Sequence, residues 1–114
     1  MRTQKTNATQ TFGQAIYIPT KEKNYIQSAI GRRKSEKLLS KIDYAAQQIK
    51  AKGFLNFTKA KASGDNIILV GSHVSSEGVK PAYINLNKDA KLENISDSFV
   101  QLGQRLNILE AHTL

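Results

Sequence analysis

At Gly53 the hydrophobic period of this chain changes, and that change constrains the fold more than any other feature of the sequence. Before it, Leu38, Leu39, Ile42, Ala45, Ala46 and Ile49 form one apolar stripe at helical spacing. Lys37, Lys41, Asp43, Gln47, Gln48 and Lys50 occupy the opposite face. Ser35 is placed to cap this helix, and Gly53 to end it. After Gly53 the period falls to about two, the repeat of a β-strand. Phe54 to Thr58 reads as a strand, residues 63–66 as a turn, and Ile67 to Val70 as a buried central strand. A loop from Gly71 to Pro81 follows. Ala82, Ile84 and Leu86 then alternate with Tyr83 and Asn85, which predicts a third strand with the first set facing the core. The three strands make an antiparallel meander.

On the N-terminal side, residues 1–10 are polar and unpatterned and are expected to form a flexible tail. Residues 11–114 then make one α+β domain, close to the commonest domain size. The run from Gln14 to Ile18 predicts a strand, stopped by Pro19. Thr20 is placed to cap a first helix, with Glu22 near the positive end of its dipole. Tyr25, Ile26, Ala29 and Ile30 carry its helical spacing, and Gly31 ends it. The alternative is one long helix through Gly31, at a cost of about 1 kcal/mol relative to Ala. A last helix, capped by Asn94 or Ser96, carries Ile95, Phe99, Leu102, Leu106 and Leu109 at a/d spacing. That stripe is too short for a convincing coiled coil, so it is expected to pack on the meander rather than to form a dimer seam. The predicted order is β-α-α-β-β-β-α: a small antiparallel sheet, the meander plus an N-terminal strand, packed by two or three helices.

Charge is distributed unevenly along the chain. Residues 1–61 hold thirteen Lys and Arg against three acids, whereas residues 62–114 hold four against six. One basic face is expected, with a polyanion as its partner. There is no Cys, which excludes disulfides and thiolate metal sites. The longest apolar run, Ile67 to Val70, is far short of a membrane span. No signal-peptide pattern is present at the N-terminus, so the sequons at Asn7, Asn56 and Asn94 read as chance matches and the chain as cytoplasmic.

The leading site candidate is Arg32, Arg33 and Lys34, flanked by Lys21, Lys23, Lys37 and Lys41. Arg offers phosphate a planar fork and Lys a mobile point charge. Adjacent cations at a helix start also suit phosphate binding. The plain alternative is a solvated surface. A helix-turn-helix reading of the two helices is disfavoured by the polar face of the second, which offers Lys and Gln rather than base-reading side chains. Ser72, His73, Ser75, Ser76 and Glu77 gather acid–base groups in the Gly71–Gly78 loop. Adjacency in a loop is not catalytic geometry, so no catalytic residue is assigned. His73 and His112 lack partners at ligand spacing, so no metal or cofactor is expected.

Element order and basic charge resemble those of the small ribonuclease toxins of toxin–antitoxin pairs, whose sheet follows a helical hairpin. Those toxins typically carry Arg and Tyr on the meander strands. Here Phe57, Thr58, Ile67, Leu69, Ile84 and Asn85 occupy these strands and no Arg does. The likeness is one of topology, and no residue is carried over from it.

The expectation is a small basic, non-enzymatic module that contacts nucleic-acid backbone through its N-terminal half. The alternatives are an adaptor or inhibitor docking an acidic protein, and a small toxin-like ribonuclease. The tail is testable from sequence alone. Deleting residues 1–9 should leave the melting temperature almost unchanged, and a loss of more than about 5 °C, roughly 1 kcal/mol in a domain this size, would place the tail in the fold.

Overall fold

The computed structural model describes residues 15–49 and 51–106. The elements are β1 (Ala15–Tyr17), α1 (Thr20–Ile30), α2 (Arg32–Gln47), β2 (Phe54–Ser63), β3 (Asn66–Ser75), β4 (Gly78–Asn87) and α3 (Leu92–Leu106). This is the predicted α+β order, with three helices and a four-stranded sheet in the order β1-β2-β3-β4. The tail, Gln14, Leu109 and His112 lie outside the described residues.

β2, β3 and β4 form the antiparallel meander. β1 joins β2 in parallel, Ala15 opposite Phe54 and Tyr17 opposite Asn56, so the sheet is mixed at that edge. The helical hairpin returns the chain to the same end of the sheet, as a parallel connection requires.

Gly31 separates α1 from α2 with φ 93° and ψ 155°, a conformation that side chains with a Cβ avoid. Its N–H donates to Gln27 O and its carbonyl accepts from Ser35 N, so one residue serves both helix ends. The alternative of one long helix is thereby ruled out.

The caps lie elsewhere than expected. Thr20 is already helical, and Pro19 O accepts the first bonds from Glu22 N and Lys23 N. Ser35 is buried inside α2 and donates its hydroxyl to Arg32 O, the inward bond that a buried Ser needs. Asn94 and Ser96 are likewise inside α3, whose first bond runs from Ile95 N to Lys91 O. Gly53 does not end α2, which stops at Gln47. It leads into β2 at φ 68°, and a Cβ there would lie 2.2 Å from Val74 O.

β2 is twice as long as the sequence pattern indicates, because a bulge between Asn56 and Lys59 reverses its alternation. Before the bulge Leu55 and Phe57 face the core; after it Ala60 and Ala62 do. At the bulge the Asn56 carbonyl folds over Gly71 of β3. A Cβ on Gly71 would sit 1.8 Å from that oxygen, so only glycine fits. The expected loop from Gly71 to Pro81 is also corrected. It is strand on both sides of a tight turn at Ser76 and Glu77, its ladder continuing to Ser75 opposite Gly78.

α2 and α3 pack on one face of the sheet, and α1 lies along the β2 edge with Ile26 turned into the same core. The α2 stripe closes on Leu55, Phe57, Ile67, Leu69 and Ile84, and α3 adds Ile95, Phe99 and Leu102. The sheet's other face is left uncovered by any described element. Ile67 to Val70 is therefore buried on one side only: Ile67 and Leu69 are fully enclosed, but Val70 is 42% exposed.

The bulge generates a direct test. Gly71→Ala should destabilise by about 3 kcal/mol or more, since the obstacle is a backbone oxygen that rotamer changes cannot move. Gly64→Ala, in the open two-residue turn at φ 59°, should cost only about 1–2 kcal/mol. Equal losses in urea melts would show that the bulge does not enclose Gly71 as described.

Candidate nucleic-acid interface

The cationic residues flanking the α1–α2 junction are all on the described surface, but the fold uses them differently. Arg32 pairs with Glu36 one turn on, at 3.2 Å, both well exposed. Lys34 reaches Asp89 at 2.7 Å, and Lys41 donates to Ala90 O at 3.0 Å. These two lysines share a side of α2 and tie it to the β4–α3 connection. Lys34 and Lys41 are thus structural links as well as charges, which sequence adjacency to Arg33 conceals.

Lys21 and Lys23 on α1, and Arg33 and Lys37 on α2, are exposed and make no ion pair among the described residues. Arg33, Lys37 and Lys41 follow one another at i, i+4 and i+8, a single stripe. With Glu36 and Ser40 they line an open depression on α2. Lys23 points another way, into a small cleft with Tyr17, Leu39 and Asp43. The predicted set therefore divides: Arg33, Lys37 and Lys41 form a stripe on α2, Lys34 and again Lys41 link to the loop, Arg32 pairs within its own helix, Lys21 is exposed on α1, and Lys23 sits at the β1 rim.

The α1–α2 pair does not have helix-turn-helix geometry. Its helices meet across one residue, where that motif uses a turn of about three to four. The hydroxyl and acid–base groups of the former loop do not converge either. His73 is buried in β3 opposite Leu55, and its Nε2 donates to Lys52 O. A carbonyl only accepts, so Nε2 carries the proton. Glu77 lies at the turn and pairs with Lys52 at 3.2 Å, and Ser75 Oγ accepts from Glu77 N. Among the described residues no three metal-ligating side chains cluster, and no helix is long and apolar enough to cross a membrane.

The fold brings together a second set of residues that sequence order does not join. On the uncovered sheet face, register places Lys59, Val70 and Tyr83 in one row, with Lys61, Ile68 and Asn85 in the next. Tyr17, Asn56, Ser72 and Pro81 form the row on the other side, then Ala15, Phe54, Val74 and Val79. Tyr17 and Tyr83 are 57% and 54% exposed. Arg105 reaches round from α3, its guanidinium 4.6 Å from the Tyr83 ring centroid and donating to Tyr83 O at 3.1 Å. Register across the bulge is what assembles this set, and only the exposed alternation of Tyr83 signals it in sequence.

Known proteins offer no guide: no family model, no curated protein and no solved structure matches the chain.

The link between α2 and the loop makes a pH prediction. The Lys34 ammonium hydrogen-bonds Asp89 and holds its carboxyl below the usual range, with further help from the charges of Lys88 and Lys41. A carboxyl depressed in the folded state stabilises the fold above its unfolded pKa, and that stability is lost as pH falls through the folded value. Because the pair is exposed, the effect on stability is small, and the titration itself is the readout. In an NMR titration the Asp89 carboxyl should have a lower midpoint in the wild type than in Lys34→Gln. Coincident curves would show that the pair does not persist in solution.

Proposed function

We propose that the protein is a small basic module that binds nucleic acid through backbone phosphates with little sequence readout. The observation that carries this reading is which charges the fold leaves over. Glu36, Asp65, Glu77 and Asp89 are taken up in ion pairs, and Glu22 accepts from Ala60 N. Lys21, Lys23, Arg33, Lys37, Lys59, Lys61 and Lys91 remain exposed with no ion pair among the described residues, against Asp43, Glu93 and Asp97. Unpaired cations in excess of acids are the footprint of a polyanion partner. Each lysine or arginine that meets a phosphate releases a counterion, so the affinity falls steeply with salt.

The test uses labelled DNA and RNA of unrelated sequences over a range of salt. Replacing Lys21, Lys23, Arg33 and Lys37 together by Gln should weaken binding uniformly across sequences. The slope of log K against log salt should flatten by roughly 0.7–0.9 for each cation that no longer meets a phosphate, about three in all. Thermal stability should hardly move, since exposed charges contribute little to folding. Replacing Lys88 and Lys91 should leave affinity nearly intact. If the wild type binds neither nucleic acid at low salt, the reading fails in favour of an acidic protein partner; equal losses in both variants would also overturn it.

A further inference from the structure

Resting on that reading, we infer that the open face of the sheet is a stacking platform for a single nucleic-acid strand, with Tyr17 and Tyr83 as the base-stacking rings. Three observations converge. First, the face is open in spite of being apolar: Tyr17, Phe54, Val70, Val79 and Tyr83 are each at least 41% exposed, and no described helix crosses them. Isolated exposed apolar residues need no explanation, but a contiguous set aligned across four strands marks an interaction surface.

Second, the charge on this face has one sign. Lys59 and Lys61 project from β2, and Arg105 lies against Tyr83. None of the described residues in the four rows is an Asp or Glu; Asp43 sits at the β1 rim, in the same cleft as Lys23. A second copy of this chain laid face to face would add like charge to like, whereas a polyanion complements the face. Third, the apolar groups include aromatic rings on three different strands. Stacking on exposed rings combined with backbone cations is how single strands are held without sequence preference. A duplex hides its base faces and cannot use them.

The geometry also sets how the strand lies. Tyr17 and Tyr83 are separated by three strand spacings and one row, roughly 16 Å at ordinary sheet dimensions. One base cannot touch both, so each ring takes its own base. Between the two rings the strand passes over the row that contains Lys59 and Val70. Arg105 fixes the Tyr83 ring and leaves it more than half exposed.

The experiment measures affinity for a labelled mixed-sequence RNA 12-mer, the same strand in DNA, and the corresponding duplexes. Single strands of both kinds should bind about ten-fold or more tighter than duplexes. Tyr17→Thr and Tyr83→Thr, each a strand-compatible change at an exposed position, should each weaken single-strand binding by about ten-fold, within the range expected when one base loses its stacking ring. Duplex binding should change less than two-fold, and Tyr83→Phe should keep wild-type affinity. Photocrosslinking of a bromouridine-substituted strand to the wild-type protein gives the same information without a variant: adducts should fall on peptides containing Tyr17, Phe54 or Tyr83. Equal binding of strand and duplex, with neutral Thr variants and adducts confined to α1 and α2, would overturn the platform and leave the proposed function standing. No binding to any of the four would remove both. A wild-type dimer in sedimentation that the Thr variants dissociate would give the face to a second copy instead.

Discussion

Everything in this fold is referred to the outer edge of β2. A strand ten residues long presents backbone N–H groups that must find partners, and β1, with three residues, reaches only the first part. Beyond the bulge the partners come from α1: Glu22 accepts from Ala60 N and the Tyr25 hydroxyl from Ala62 N, both at 3.0 Å. Those two side chains lie three residues apart and thus on one side of the helix. They hold α1 along the edge that β1 leaves unpaired, and they also close that edge to pairing with another chain. With α1 fixed there, the one-residue break at Gly31 sends α2 back over the inner face, where its apolar stripe meets the core.

The open face follows from the same arrangement. β1, α1 and α2 are all spent on the β2 edge and the inner layer. α3 is held at the opposite side, where Lys80 donates to Leu106 O and Arg105 to Tyr83 O. One sheet edge is therefore lined by β1 and α1 and the other is reached by Arg105, while the outer face has no described element left to cover it. The cations divide accordingly. Some tie layers together, as Lys34 and Lys41 do, and others are left facing outward on α1, α2 and β2. A molecule that carries phosphates and flat, stackable groups matches both kinds of exposed chemistry.

Elements whose residues repeat with one unbroken period were legible in the sequence. The α2 stripe and the alternation of Ala82, Ile84 and Leu86 are present where expected. The second half of β2 was not legible, because Lys59 to Ser63 are polar or small and the bulge changes which parity faces inward. The strand nature of residues 71–80 was hidden for a related reason. Gly71 is there for the close approach of the Asn56 carbonyl, and Gly78 for the turn at φ 123°, yet two glycines and several hydroxyls read as a loop. Helix starts are misplaced in sequence because Thr20, Ser35, Asn94 and Ser96 have the chemistry of caps, whereas the first helical bonds are accepted by the Pro19, Gly31 and Lys91 carbonyls. At the candidate site, the cationic run was visible but its division was not. Links such as Lys34 to Asp89 join residues far apart in sequence. Tyr17, Lys59 and Tyr83 share a face only through register.

The most direct measurement of the central claim, that nucleic acid is bound with its bases on the open sheet face, is the map of amide chemical-shift changes on adding a single strand to isotope-labelled protein. The largest changes are expected at Tyr17, Asn56, Lys59, Val70 and Tyr83, with smaller ones along the Arg33–Lys37 side of α2. Changes confined to α1 and α2, with the β-sheet amides unmoved at saturation, would contradict it.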